Sequence, residues 1–225
     1  MNSKEAMKNI PFFNYPALFE QRKDEYLNIV QDVLSRGAYI MQQDLINFEN
    51  DLAKYLGVKH AIGVADGTMA LLISLMAAGI GEGDEVIVPS HTFVASAAAI
   101  HHSGAKPVLA DCQEDHLIDP NSISKLITSK TKAIMPVQLN GRVADMDAIN
   151  KIATDHNLII IEDSCQALGA RYKGQFAGTF GLTGTFSFFP AKTLGCFGDG
   201  GAVVTNNDKV AEKIKMIRDH GRDPS

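Results

Sequence analysis

The sequence predicts an α/β protein with three layers, α/β/α, built on a mostly parallel sheet. Three observations carry that expectation. Short apolar runs recur without polar alternation, as in strands covered on both faces. Between them lie segments with an apolar residue every three or four positions, as in helices that pack on a sheet. The length, 225 residues, suits one large domain or two small ones.

Two helical patterns come first. Tyr26, Ile29, Val30, Val33 and Leu34 share one face, and Gly37 follows as a stop. Leu45, Phe48, Leu52, Tyr55 and Leu56 share another, with Gly57 as a C-terminal cap. The texture then changes. HAIGVA from His60, EVIVP from Glu85, KPVLA from Lys106, KAIMPV from Lys132 and LIIIE from Leu158 read as strands. A helix falls in DMDAINKIATDHN, where Met146, Ile149 and Ala153 align. TFSFF from Thr185 and AVVT from Ala202 add strands joined by glycine-rich turns. A last helix starts near Asp208, with Val210, Ile214 and Ile217 on one face. The expected division is an N-terminal helical segment over residues 1–57 and a large α/β domain over 58–225. There is no internal repeat or low-complexity tract.

Composition excludes several classes. Hydrophobic residues make up 45% and charged residues 21%, so the chain is not disordered throughout. The longest apolar run, Ala70 to Ile80, falls short of the about 20 residues that span a bilayer. MNSKEAMKNI lacks the apolar core of a secretory signal. These features point to a cytoplasmic protein without a membrane partner. Twenty-one Lys and Arg against 26 Asp and Glu give a net charge of −5, which disfavours nucleic acid. Cys112, Cys165 and Cys196 are scattered and odd in number, so neither a disulfide framework nor a metal site is expected.

Four places hold unusual residues at strand ends, where ligands sit in an open parallel sheet. In ADGTMALLISL from Ala65, Gly67 permits close approach of a ligand, and Thr68 offers a hydroxyl at a helix start that favours an anion. The same pair also suits an ordinary helix start. In PSHTFVASAAAI from Pro89, Phe93 suits either stacking on a flat ring or burial in the core. His91 reads as a satisfied polar residue. In LIIIEDSCQALGA from Leu158, Glu162 and Asp163 end a buried strand, where a carboxylate needs a cationic or donating partner. Asp163 suits a protonated ring nitrogen or a helix cap, and Gln166 faces the same way if a helix begins there. In GTFSFFPAKTLGCFGDGGAVVT from Gly184, Lys192 lies among Phe188, Phe189, Pro190, Leu194 and Phe197. Those neighbours are expected to desolvate the amine and make it nucleophilic. Ser187 precedes it, and the Gly198–Gly201 run allows a tight turn or a close ligand approach. Neither a GxxxxGK[ST] loop nor a GxGxxG after the first strand is present.

Together the four fit pyridoxal 5′-phosphate. That cofactor needs a lysine for its aldehyde, an acid for its pyridine nitrogen, an aromatic for its face, and donors at a helix start for its phosphate.

GTMALLISLMAAGIGEGDEVIVPSHTFVASA, IIEDSCQALGA and SFFPAKTLGCFGDGGAVVT resemble the DegT/DnrJ/EryC1/StrS family of sugar aminotransferases, from about Phe12 to Arg222. The resemblance implies the fold type I architecture of pyridoxal phosphate enzymes. It implies that Lys192 holds the cofactor covalently and that Asp163 partners the pyridine nitrogen, the two forming the catalytic pair. It implies that Gln166 contacts the ring hydroxyl, that Phe93 stacks on the ring, and that Gly67, Thr68 and Ser187 contact the phosphate. The implied reaction moves an amino group, with glutamate as donor, onto a nucleotide-linked oxo-sugar. The implied setting is surface polysaccharide or aminosugar biosynthesis, lipopolysaccharide included, in a homodimer. Three departures stand out. The family has a smaller C-terminal domain that is not expected within this chain. Asp66 replaces a small residue before the Gly-Thr pair. PVQLNGR from Pro136 places Gln138 and Asn140 where His and Tyr are frequent, which directs attention to the substrate pocket. The rival readings are a related sugar dehydratase, against which the retained lysine argues, a silent chain keeping only cofactor or dimer contacts, and a nicotinamide enzyme, against which the missing glycine fingerprint argues.

Overall fold

The structure, a computed structural model, describes residues 10–223. The chain forms two compact units, the first ending at Ile46 and the second beginning at Asn47. In the first unit, α1 (Tyr15–Gln21) starts at Asn14, whose side chain accepts the Ala17 N–H, with a proline in the first turn. α2 (Lys23–Ser35) carries the expected stripe, and Gly37 follows it at a positive φ of 65°. No residue of α1 or α2 is buried. The next helix, α3 (Gln43–Leu56), runs across the division.

In the second unit the order is β1 (His60–Val64), α4 (Gly67–Ala77), β2 (Glu85–Pro89), α5 (Ala95–His102), β3 (Lys106–Ala110), α6 (Pro120–Leu126) and β4 (Thr131–Ile134). There follow α7 (Met146–Asp155), β5 (Ile159–Asp163), β6 (Arg171–Tyr172), β7 (Gln175–Phe176), β8 (Thr183–Ser187), β9 (Gly201–Thr205) and α8 (Asp208–Arg218). Seven strands form one sheet in the order β1-β9-β8-β5-β4-β2-β3, and β6 pairs with β7 in a separate hairpin. The run from β3 to β8 is parallel. β9 is antiparallel to both β8 and β1. The reversal has a simple cause. Residues 188–200 contain no helix to carry the chain back across the sheet, and without such a crossover two neighbouring strands must run antiparallel.

The layers follow from strand alternation. Ala202 and Val204 of β9 pack with Leu52, Ala53 and Leu56 of α3. Val203 between them packs on the other face with Ile73 of α4 and Ile214 of α8. Successive side chains of a strand point to opposite faces, so a strand covered on both sides must be apolar throughout. β2 is the clearest case, with every residue buried. Each of Val86, Ile87 and Val88 contributes about 1.5–3 kcal/mol by leaving water. Among the described residues no helix is long and apolar enough to cross a membrane.

Candidate active site

At the end of β5 two neighbouring carboxylates part company. Glu162 pairs in register with Gly184 and Asp163 with Thr185, so the two acids face opposite sides of the sheet. Glu162 is fully buried. It accepts the N–H groups of Gly178 (2.8 Å), Phe180 (2.6 Å) and Gly181 (3.0 Å) and the side-chain amide of Gln138 (3.0 Å). Burial raises its carboxyl above the usual carboxylate range, and these donors pull the other way. Glu162 therefore organises the 178–181 loop. Gln138 is equally buried and also accepts the Ala144 N–H at 2.8 Å, so it belongs to this network and not to a surface where substrate binds.

Asp163 faces the side of α4. It is 6% exposed, and its two oxygens are held separately. Oδ2 accepts the Ser96 hydroxyl at 2.6 Å and Oδ1 the Cys165 N–H at 3.2 Å. An ionised carboxylate has about four acceptor positions, so the carboxylate keeps room for a further donor. No helix follows. Residues 164–170 form turns, with Ala167 N–H bonded to Ser164 C=O at 2.9 Å, so Asp163 is not a helix cap. The helix that the spacing to Gln166 presupposes is absent. Gln166 instead accepts the Asn140 N–H through Oε1 at 3.0 Å, which leaves its Nε2 to donate.

α4 opens beside this carboxylate. Asp66 is its N-cap, with the side chain accepting the Met69 N–H at 2.8 Å. The acid that departs from the family pattern is thus engaged in capping. The N–H groups of Gly67 and Thr68 and the Thr68 hydroxyl have no acceptor among the described residues. Gly67 has no room for a side chain. A Cβ there would lie 2.8 Å from Ser187 Cβ and 2.9 Å from Cys165 Sγ. The first turn of α4, the end of β8 and the turn after β5 therefore converge on one spot. Gly201, at the start of β9, joins them, since a Cβ on it would lie 2.4 Å from the Asp66 carbonyl carbon. The close approach expected of this glycine is to the protein's own backbone, while Gly198, at φ 132°, makes the turn.

Lys192 lies in the loop between β8 and β9. Phe188 N–H bonds Gly200 C=O at 2.7 Å and Lys192 N–H bonds Phe189 C=O at 2.8 Å. The loop folds tightly enough that a Cβ on Gly195 would meet Pro190 C=O at 2.4 Å. The apolar cage expected around the amine is incomplete. Phe188 is buried, but Phe189, Leu194 and Phe197 are 48%, 46% and 75% exposed. Lys192 itself is half-buried, and no carboxylate among the described residues pairs with it. Its charge does reach the site. The Cys165 thiol is pushed well above its ordinary value by burial and then by Asp163, and Lys192 acts on it in the opposite sense. Phe93 is 66% exposed and so is not a core residue. Its carbonyl accepts the Ser96 N–H at 3.2 Å, which ties its loop to the residue that holds Asp163. His91 is exposed and sits edge-on to His116 with ring centroids 5.4 Å apart.

The arrangement offers free amide donors at a helix start, a shielded acid, an exposed aromatic ring and an unpaired amine. A model of the DegT/DnrJ/EryC1/StrS aminotransferase family matches residues 20–225. The chain belongs to that family. A dTDP-3-amino-3,4,6-trideoxy-alpha-D-glucose transaminase of Streptomyces venezuelae is 45% identical over 222 residues, 98% of this chain and 59% of that protein. A crystal structure of S. venezuelae DesV in complex with a ketimine intermediate superposes with a TM-score of 0.91 at 45% identity, covering 95% of this chain and 58% of that one. The structure of ntda from Bacillus subtilis with bound cofactor PMP superposes with a TM-score of 0.87 at 34% identity, covering 96% and 49%. The chain thus spans about three fifths of the transaminase it matches.

Within this DegT/DnrJ/EryC1/StrS chain, three contributors escape a reading of the sequence alone. Ser96 and Thr92 are small hydroxyls in a helix-start segment, and only their spacing on either side of Phe93 hints at a role. Cys165 stands two residues after Asp163, and nothing in its type marks it as a wall against Gly67.

Proposed function

We propose that this chain carries the cofactor site of a pyridoxal phosphate-dependent aminotransferase. The enzyme moves an amino group from an amino-acid donor, glutamate, to a nucleotide-linked oxo-sugar for aminosugar or surface polysaccharide synthesis, and it works as a homodimer. Residues 58–225 make up the cofactor-binding domain, preceded by the helical segment 1–57. The observation that carries this reading is the convergence of Gly67, Ser187 and the Asp163–Cys165 turn on one spot, with the Lys192 loop springing from the same strand end.

The residues present fit the cofactor. The N–H groups of Gly67 and Thr68, with the hydroxyls of Thr68 and Ser187, suit a phosphate at a helix start. Asp163 is shielded, keeps a free acceptor position, and suits a protonated ring nitrogen. Phe93 is exposed for stacking, and the Gln166 Nε2 is available for the ring hydroxyl. Lys192 is the amine for the aldehyde. When bound, pyridoxal phosphate supplies an electron-accepting ring for charge that develops at the substrate carbon. Asp163 keeps the proton on the ring nitrogen in place and stabilises that charge electrostatically. Lys192, once free of the aldehyde, would act as general base and acid, taking a proton from the donor's α-carbon in the first half-reaction and delivering one to the carbon of the sugar that gains the amine in the second. Ping-pong kinetics follow.

The test is uptake of pyridoxal phosphate by the purified chain, borohydride reduction, and mapping of the label. The expected result is a yellow protein with the reduced cofactor fixed on the Lys192 peptide and none fixed in Lys192→Ala. Adding glutamate before reduction is expected to prevent fixation. A colourless protein, or a label on another lysine, overturns the reading.

A further inference from the structure

Ser96 is the group in this region that the reaction leaves without a role. It comes from α5, 67 residues from Asp163 in sequence, and it is fully buried. Its hydroxyl lies 2.6 Å from Asp163 Oδ2, 2.8 Å from Thr92 Oγ1 and 3.3 Å from the Phe93 carbonyl. A hydroxyl has one proton to give. The charged acceptor at the shortest distance takes it, because charge-assisted hydrogen bonds are the shorter and stronger ones. Ser96 therefore donates to Asp163, and Thr92 donates to Ser96. The chain Thr92 to Ser96 to Asp163 brackets Phe93, with one hydroxyl on either side of it.

We propose that Ser96, set by Thr92, is a positioning residue that joins the Asp163 carboxylate and the Phe93 loop into one unit. On the reading above, the acid addresses the edge of the cofactor ring and the aromatic addresses its face. Two groups meeting one small ring from different strands need a fixed separation, since a misplacement of about 1 Å at such a site costs about 100-fold in function. The Ser96 bond ties the loop after β2 to the end of β5 and supplies that separation. With the Cys165 N–H on Oδ1, it also fixes the orientation of the carboxylate. The inference rests on the cofactor reading and adds a residue that never touches the cofactor.

The test uses the whole chain and pyridoxal phosphate itself. Affinity is read by fluorescence titration, the bound cofactor by its absorbance band, and the cofactor-free protein by hydrogen exchange over residues 91–97. Ser96→Ala is expected to weaken binding by about 10- to 100-fold, as loss of a hydrogen bond to a charged group does. It is also expected to shift the absorbance band and to speed exchange in the loop without cofactor. Ser96→Thr keeps the hydroxyl and is expected to restore the band and most of the affinity. Thr92→Val, close in shape, is expected to weaken binding by about 3- to 10-fold alone and by nothing further in the Ser96→Ala background, because it acts only through Ser96. If Ser96→Ala does not fold, Thr92→Val and Ser96→Thr carry the decision. Wild-type affinity with an unshifted band in Ser96→Ala, or in Thr92→Val, or additive losses in the double variant, overturns the proposal and leaves the cofactor reading intact. Failure of the unaltered chain to take up pyridoxal phosphate overturns the reading itself, and is seen before any variant is compared.

Discussion

Replacing Glu162 by glutamine tests the network behind the site with a magnitude that follows from its bonds. Each carboxylate oxygen accepts two N–H donors: Phe180 and Gly181 on Oε1, Gly178 and Gln138 on Oε2. A glutamine presents one oxygen and one NH2, so one pair of donors faces another donor. Turning the Gln138 amide over does not rescue it. Gln138 Oε1 would then meet the new amide, but its Nε2 would face the Ala144 N–H that Oε1 now accepts. Two donors stay unsatisfied in every arrangement. Each costs about 1–3 kcal/mol when buried, so the loss is about 2–6 kcal/mol. For a chain of this size about 4 kcal/mol corresponds to a fall of roughly 8–16 °C in melting temperature. The pH dependence is a second check. Burial raises the Glu162 carboxyl, so the native state keeps a proton that the unfolded chain has released above about pH 4.3. Stability from this group is full below that pH and is withdrawn as pH rises through the raised value. The margin of wild type over Glu162→Gln therefore narrows as pH climbs. Urea titrations from pH 4 to 8 measure both quantities. A loss under about 1 kcal/mol at pH 7, or a margin that widens with pH, refutes the reasoning.

Two further outcomes are expected. Gly67→Ala places a methyl against Ser187 and Cys165, costing about 1–3 kcal/mol of overpacking less about 1 kcal/mol of helix preference. Its melting temperature is expected to move little while uptake of pyridoxal phosphate falls at least about tenfold through a displaced helix start; unchanged uptake counts against the convergence of α4, β8 and the turn after β5 at Gly67. Asp145 caps α7 through the Ala148 N–H, and that bond first, then the Tyr172 hydroxyl, hold its carboxyl below the usual range. Its contribution is present above about pH 3.9 and is lost as pH falls through the depressed value, so wild type and Asp145→Asn, which keeps the cap, converge in acid. Denaturation curves that diverge as pH falls contradict this.

What was legible in the sequence, and what was not, divides along physical lines. β2 and β9 stand out most clearly because a strand buried on both faces is apolar almost throughout, whereas β3 at the sheet edge leaves Leu109 exposed. The direction of β9 is not written in AVVT, since an apolar run reads the same either way. It follows only from the missing helix between Ser187 and Gly201. The hairpin of β6 and β7 has two residues a side, too few for any period to show. Glu162 and Asp163 look interchangeable as neighbours. Strand alternation separates them, but which face carries α4 depends on contacts from residues 67 and 187 that no local pattern contains. For Lys192, apolar neighbours in sequence do not enclose it in space, because a loop that bonds to its own backbone can leave Phe189 and Phe197 outside.

The reversal of β9 bears on more than topology. In a wholly parallel sheet the chain leaving β8 passes over one face and re-enters at the far end of the next strand. Here Ser187 and Gly201 are partners in register, so the Lys192 loop leaves and returns at the same edge of the sheet. Both anchors press on α4: Ser187 bounds the space at Gly67, and Gly201 lies against the Asp66–Gly67 peptide too closely for any side chain. The helix start that offers N–H donors and the loop that bears the amine are thereby held at a set spacing by the Gly201 backbone and the Ser187 side chain. Side chains in the loop are free to vary and to stay exposed, since the position of Lys192 is inherited from two glycines and a strand pair. This accounts for a loop with three exposed apolar side chains lying next to backbone packed too closely at Gly201 for any Cβ.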